Sequence, residues 1–388
     1  MWIRQWITRR GDYGIYSRLL QELRNEDHRS FTNFMRMPVE MHDELLERLT
    51  GRLTKQTTTM RPAHPPGLKL ALVLRHLASG ATYHDMQYAW RVPPNSIHYM
   101  VKEVCRAIVD EYLEEQLATP STPEEWRQLA RDWLERWNLP HVVGAIDGKH
   151  VAIKCPNNSG SDYFNYKGFF SIILLAIVTS DYKILWADVS GIGSSSDAHM
   201  YNQSDFKRGL AENTIPGWPD ADPLPHDHRD VPYFLVGDDA FSLETYMMKP
   251  YGHKNLSRDE RIFNYRLSRA RRVVENTFGI LANRFQVMLT TMQHAPETVQ
   301  LIVTACVLLH NIMRTRYPVM QNRLIDDHQD GQMVDGDWRR ERDMTDTVQV
   351  QGPNEPTRRA KMQRNLLKHW VNSSAGAVPW QNRMVDNV

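Results

Sequence analysis

Apolar positions change their spacing twice along this chain of 388 residues. From about residue 12 to residue 60 they recur every three or four positions. In FTNFMRMPVEMHDELLERL, the side chains Phe34, Met35, Met41, Leu45, Leu46 and Leu49 mark one amphipathic helix. The Pro- and Gly-dense stretch at 61–67 interrupts the pattern. LKLALVLRHLASG then sets Leu70, Val73, Leu74 and Leu77 on one face and stops at Gly80. Thr82 caps a short helix, YHDMQYAW, with Asp85 three residues on as a near-capping box. The sequence VPP ends it, and Asn95 or Ser96 caps a longer helix that turns Ile97, Met100, Val104 and Ile108 inward. Helix, short helix, tight turn and helix is the outline of a helix-turn-helix over about 68–116.

From residue 141 the texture is that of strands. VVGAI, FFSIILLAIVTS and KILWADVSGIG are near-continuous apolar runs, as expected of strands covered on both faces. A helix over 197–210, a strand over 233–236, a short helix over 243–248 and a long helix through SRARRVVENTFGILANRF complete an α/β core. The Pro/Asp-rich run between the first helix and the fourth strand reads as an exposed loop; its His226 and His228 lack zinc-type spacing. The apolar stretch 301–317 reads as a core helix. Beyond it a polar tail closes with a helix, RRAKMQRNLLKHWV, and GAVPWQ, which packs back on the body. The expected organisation is a helical region at 1–118, a helical linker at 119–140, the α/β domain at 141–317 and a polar tail with its terminal helix at 318–388.

Composition adds limits. A content of 41% hydrophobic and 24% charged residues is that of an ordinary soluble globular chain. A net charge of +1 gives no bulk attraction to nucleic acid, so any phosphate-binding face is local. Cys105, Cys155 and Cys306 are far apart with no CxxC, which points to a reducing compartment and no cysteine zinc site. No unbroken apolar run approaches the roughly 20 residues a bilayer needs, so no membrane partner is expected. The candidate reading helix offers Asn95, Ser96 and Lys102 to DNA, with His98 and Tyr99 between them. Its far end is acidic at Asp110, Glu111, Glu114 and Glu115. Phosphate neutralisation supplies most non-specific affinity, so this unit alone binds DNA weakly.

The chemistry rests on acids carried by buried-type elements. Asp147 ends the first strand, Asp238 follows the fourth, and Glu275 sits on the long helix. Each has a bland explanation: a turn at Asp147-Gly148, a turn at Asp238-Asp239, and a surface ion pair of Glu275 with Arg271 or Arg272 worth about 0.5 kcal/mol. Asp197 has its own, a helix N-terminus favoured by the dipole. Taken together they have a shared one, because carboxylates converging on one point repel unless divalent cations sit between them. Mg²⁺ takes few protein carboxylates, and two such ions serve in-line displacement at phosphorus. Gly279 and Ala282 leave room beside Glu275, while Arg266, Arg269, Arg271 and Arg272 add charge suited to phosphate.

GAIDGKHVAI, GSSSDAHMYNQSDF, FLVGDDAF and ARRVVENTFGILANRF, as an ordered set, resemble the PIF/Harbinger superfamily of DDE transposases. A domesticated, transposase-derived nuclease of animals belongs to that group. LRHLASGATYHDMQYAWRVPPNSIHYMVKEVCRAI resembles the helix-turn-helix that precedes the nuclease there. The resemblance extends from about residue 12 to GAVPWQ. It implies a ribonuclease H-like DDE nuclease core at 141–317, behind an N-terminal all-α helix-turn-helix region and ahead of a C-terminal helical tail. Asp147 then matches the first D, Asp238 the second D and Glu275 the E, with Asp197 as an auxiliary metal-site residue. It also implies Mg²⁺ or Mn²⁺ as cofactor, and DNA cleavage leaving a 3′-hydroxyl that is joined to target DNA. Lys149, Arg271 and Arg272 are the expected phosphate contacts. A Myb/SANT-like partner supplying sequence-specific binding and nuclear entry, a homo-oligomeric active form, and residence in the nucleus with the cytoplasm as second site complete the expectation. The rival reading is a domesticated protein kept for binding DNA or a partner, whose acids no longer cut. Ribonuclease H-like action on RNA–DNA hybrids rests on the fold alone.

Overall fold

A proline and a left-handed residue divide the N-terminal pattern more finely than its spacing predicts. The computed structural model describes residues 4–58, 62–318, 327–329, 332–334 and 357–386. Where one amphipathic helix was expected it has two, His28–Met35 and α1 at Val39–Leu53. Arg36 takes φ 58, and Pro38 has no N–H to continue the ladder. α2, Pro66–Ser79, ends as expected on Gly80 at φ 64. Thr82 caps α3, Tyr83–Trp90, its Oγ1 accepting from the Asp85 N–H at 3.2 Å. α4 spans Pro94–Gln116, so Asn95 and Ser96 lie in its first turn and do not cap it. Ile97, Met100, Val104 and Ile108 are buried, as their spacing predicts.

The chain forms two units. One comprises residues 1–116, 151–159 and 281–316, and the other residues 117–150, 160–280 and 317–388. The second unit opens with α5, Pro123–Trp137, on a full capping box. Thr122 Oγ1 accepts from the Glu125 N–H, and the Glu125 carboxylate accepts from the Thr122 N–H at 3.1 Å. Then come β1 (Val142–Ala152), β2 (Ser171–Val178) and β3 (Ile184–Ile192). α6 (Asp197–Gln203), α7 (Asp205–Glu212), β4 (Phe234–Val236), β5 (Met247–Met248) and α8 (Arg258–Arg284) follow. The sheet order is β3-β2-β1-β4-β5. β2 and β3 are antiparallel, whereas β4 runs parallel to both β1 and β5. The architecture is mixed α/β around a central mixed sheet. Val143, Ile146, Ile173, Leu175 and Leu235 of the sheet are buried with Trp126, Tyr201 and Phe206 from the helices.

Three further elements depart from the sequence pattern. β1 does not stop at Asp147 but continues to Ala152, which places the acid within the strand. The expected helix over 243–248 is instead a turn leading into β5. Its two methionines are fully buried beside Leu235 and Val236, a demand met by edge pairing and not by a helical stripe. The helix expected over 197–210 breaks at Ser204, whose Oγ accepts from the Lys207 N–H at 3.1 Å and starts α7.

In the first unit α9, Pro296–Arg316, packs along α4, and the Asn311 amide donates to the Gln116 carbonyl at 2.9 Å. By length and mean hydropathy α9 passes for a membrane-crossing helix, which a search for unbroken apolar runs does not show; it is mostly buried inside the protein. The expectation of a polar tail falls largely outside the described residues. Its terminal helix, α10, is present at Arg358–Asn372. Arg266 of α8 donates to the Gly376 carbonyl at 3.0 Å and to Gln381 Oε1 at 2.8 Å, so the segment after α10 packs back on its own unit.

Candidate active site

β1 carries Asp147 into the second unit at only 8% exposure, with Oδ1 buried and without a hydrogen-bond partner. The next residue, Gly148, explains how a second acid reaches it. A Cβ at that position would lie 2.0 Å from Asp197 Oδ1, so the missing side chain lets the Asp197 carboxylate rest on the strand backbone. Asp197 is the first residue of α6, positioned by the Ser196 cap, whose Oγ accepts from the His199 N–H at 3.2 Å. Asp238 lies just past β4 and is buried, its Oδ1 accepting from the Ala240 N–H at 2.9 Å. Its neighbour Asp239 pairs with Lys249 at 3.0 Å. Glu275 lies on α8, one turn beyond Arg271, and the two form an ion pair at 2.6 Å.

Electrostatics couple these groups. Burial raises the Asp147 carboxyl well above the usual carboxylate range; Asp197 pushes the same way, Arg271 opposes, and Asp238 and Glu275 add to the rise. Asp197 is pushed up to about 6 by burial and by Asp238, with Lys167 and Lys149 pulling it down. Five expected site residues therefore act on one centre: Asp147, Asp197, Asp238, Glu275 and Arg271. Lys149, buried on β1, acts beside them through Asp197. Lys167 does the same and was missed by sequence reasoning. The only local signal for it was a lysine among aromatics in YFNYKGFF.

The donor set suits a hard divalent cation: oxygen ligands only, one of them a buried acceptor with no partner. As the side chains stand, no three His, Cys, Asp or Glu groups among the described residues are drawn together tightly enough to hold an ion. Arg271 engages Glu275 and the Ala240 N–H engages Asp238. Arg272, also on α8, acts on Arg269. Asn95, Ser96 and Lys102 belong to the first unit, on the opening turns of α4. There Ser96 lines a cavity of about 340 Å³ with Lys55, Lys69, Tyr99 and Glu103.

A mixed sheet with acids on its first strand, beyond its fourth and on the following helix is matched by sequence comparison. Residues 146–311 match the family model described as DDE superfamily endonuclease, and that is the class of this domain. The chain is 28% identical over 275 residues to "Putative nuclease HARBI1" of Xenopus laevis, covering 70% of this chain and 74% of that protein. The protein of the same name from Homo sapiens is also 28% identical over 275 residues, covering 69% and 72%. "Protein ALP1-like" of Arabidopsis thaliana is 24% identical over 276 residues, covering 70% and 65%. These matches make the chain similar to the Harbinger transposase-derived DDE nucleases. No solved structure matches it.

Proposed function

We propose that this protein is a divalent-metal-dependent DNA endonuclease that cuts the phosphodiester backbone and leaves a 3′-hydroxyl. The observation that carries the reading is the buried, unpartnered Asp147 Oδ1 within the electrostatic reach of Asp197, Asp238 and Glu275. Those four carboxylates are the proposed ligands of Mg²⁺ or Mn²⁺. Such a cation supplies Lewis-acid polarisation of the phosphoryl group and of the attacking water. Lys149 and Lys167 set positive charge beside Asp197, where an incoming phosphate is neutralised. Arg271 holds Glu275 in an ion pair, and transfer of its guanidinium to a phosphate would free the carboxylate. Arg272, the next residue of α8, is proposed as a further phosphate contact.

Joining of the 3′-hydroxyl to target DNA, by the same in-line geometry, is the transposase form of this proposal. Asn95, Ser96 and Lys102 are its helix-turn-helix contacts to DNA. With a single firm cation among them, they support a division of labour in which a Myb/SANT-like partner brings sequence specificity and nuclear entry. A homo-oligomeric active form and residence in the nucleus belong to the same proposal. The rival, a binding protein that does not cut, draws on one observation: Glu275 already has a partner in Arg271.

The test is nicking of plasmid and terminal-repeat DNA in Mg²⁺ or Mn²⁺, with and without a Myb-like partner. Asp147→Asn, Asp238→Asn and Glu275→Gln are expected to lower the rate at least about 100-fold with unchanged circular dichroism, given the several kcal/mol that a metal site contributes. Cleavage that survives all three substitutions would falsify the assignment. Wild-type protein that binds DNA yet never nicks it would establish the rival.

A further inference from the structure

Between β1 and β2, residues 163–171 (YFNYKGFFS) hold five aromatic side chains and one lysine. Phe164 is 45% exposed and Tyr166 52%. The backbone that carries them is tightly tied. Asn165 is buried, and its Oδ1 accepts from the N–H groups of Lys167 at 3.0 Å and Phe169 at 3.2 Å. Its Nδ2 donates to Ser171 Oγ at 2.9 Å, and its own N–H to the Phe169 carbonyl at 2.9 Å. Gly168, at φ 85, makes the reversal that an L side chain would strain. Phe164 meets Phe170 edge-on at 5.2 Å.

This loop stands beside the acids. The Tyr166 ring meets the ring of His150, three residues beyond Asp147 on β1, at 5.8 Å. The Lys167 ammonium lies 5.7 Å from the Tyr166 centroid, and its charge acts on Asp197. Single exposed aromatics are ordinary. A hydrogen-bonded turn that fixes two of them in solvent, with a cation beside Tyr166 whose charge reaches Asp197, has the chemistry of a stacking platform. Its complement has a flat π face joined to a negative charge, which describes a nucleobase on its phosphate.

We propose that Tyr166, with Phe164 beside it, stacks on an unpaired base of the DNA strand led to the acid centre, while the positive charge of Lys167 beneath the ring favours the adjoining phosphate. The favoured substrate is then single-stranded or locally opened DNA, a refinement that rests on the endonuclease reading. Intact duplex offers no free base face to Tyr166, so opening of the strands precedes cutting.

The test is fluorescence anisotropy with a labelled oligo(dT) and an abasic oligomer of the same length, in EDTA at low salt. Wild-type protein is expected to favour oligo(dT) by about 10-fold or more, as stacking predicts. Tyr166→Ala should abolish that preference while its affinity for the abasic strand stays within about twofold, because backbone charge contacts remain. Tyr166→Trp should restore the preference, which guards against a merely misfolded alanine variant. Equal wild-type affinity for the two strands, or a preference undiminished in Tyr166→Ala, overturns the proposal and assigns the loop to a protein partner. Nicking in Mn²⁺ is measured in parallel. A base preference that depends on Tyr166 without any nicking sinks the endonuclease reading and leaves the stacking site standing.

Discussion

At the scale of single residues, Gly148 sets how close two carboxylates come. The Asp197 carboxylate is short and buried, so it has little freedom to escape a new methyl group 2.0 Å away. Gly148→Ala is therefore expected to displace Asp197, costing about 1–3 kcal/mol in urea unfolding and lowering nicking together with it. Arg271 is the other single-residue control. It is a cation that opposes the rise of the Asp147 carboxyl, so Arg271→Gln should lower Tm in EDTA more than the ~0.5 kcal/mol of a surface pair implies. Added Mn²⁺ should narrow the gap, and a Tm deficit insensitive to Mn²⁺ would count against a cation at this centre. These relations were only half legible in the sequence. Asp147-Gly148 reads locally as a turn, and nothing near it announces that residue 197 needs the glycine. Glu275 shows why bland readings persist: its expected i−4 ion pair is present, and the carboxylate also acts on Asp147. Lys167 stayed hidden because its role comes from where the fold puts its loop.

Among the elements, legibility followed local chemistry. Where a cap or a left-handed residue marks an end, as at Thr82 and Gly80, the pattern and the structure agree. Where a segment's state depends on a distant partner, they part. Met247 and Met248 became an edge strand only because β4 was there to pair with them. Ser204 divided a helix that apolar spacing alone reads as continuous. The strongest local signal in the second unit is the capping box on α5. Thr122→Ala removes the side-chain acceptor for the Glu125 N–H and should cost about 1 kcal/mol in chemical denaturation. Thr122→Ser should recover most of it.

At the scale of the whole molecule, buried histidines shape the response to acid. Burial holds His76 down at about 4 and also His294, where His76, His98 and Lys102 act in the same direction. Both are therefore favoured neutral in the fold. Their contribution is complete above the ordinary histidine value of about 6.5 and is lost as pH falls from there towards 4, at up to ~1.4 kcal/mol per pH unit for His76. Asp147 and Asp197, held above their ordinary values, work in the opposite direction over part of that window, so the wild-type profile alone decides nothing. The informative quantity is a difference: the Tm advantage of wild type over His76→Phe should shrink from pH 7 to pH 4.5. A gap constant with pH would refute the neutral burial of His76. The pairing of α4 with α9 carries a consequence for synthesis. When the last residue of α4 leaves the ribosome, the helix that covers it is about 180 residues away, roughly 10–40 s of translation at ordinary rates. Throughout that interval the face of α4 that packs on α9 has no permanent cover from it. Nascent chains of this protein should therefore depend on chaperones, and a fragment ending at Gln116 should aggregate where the full chain does not.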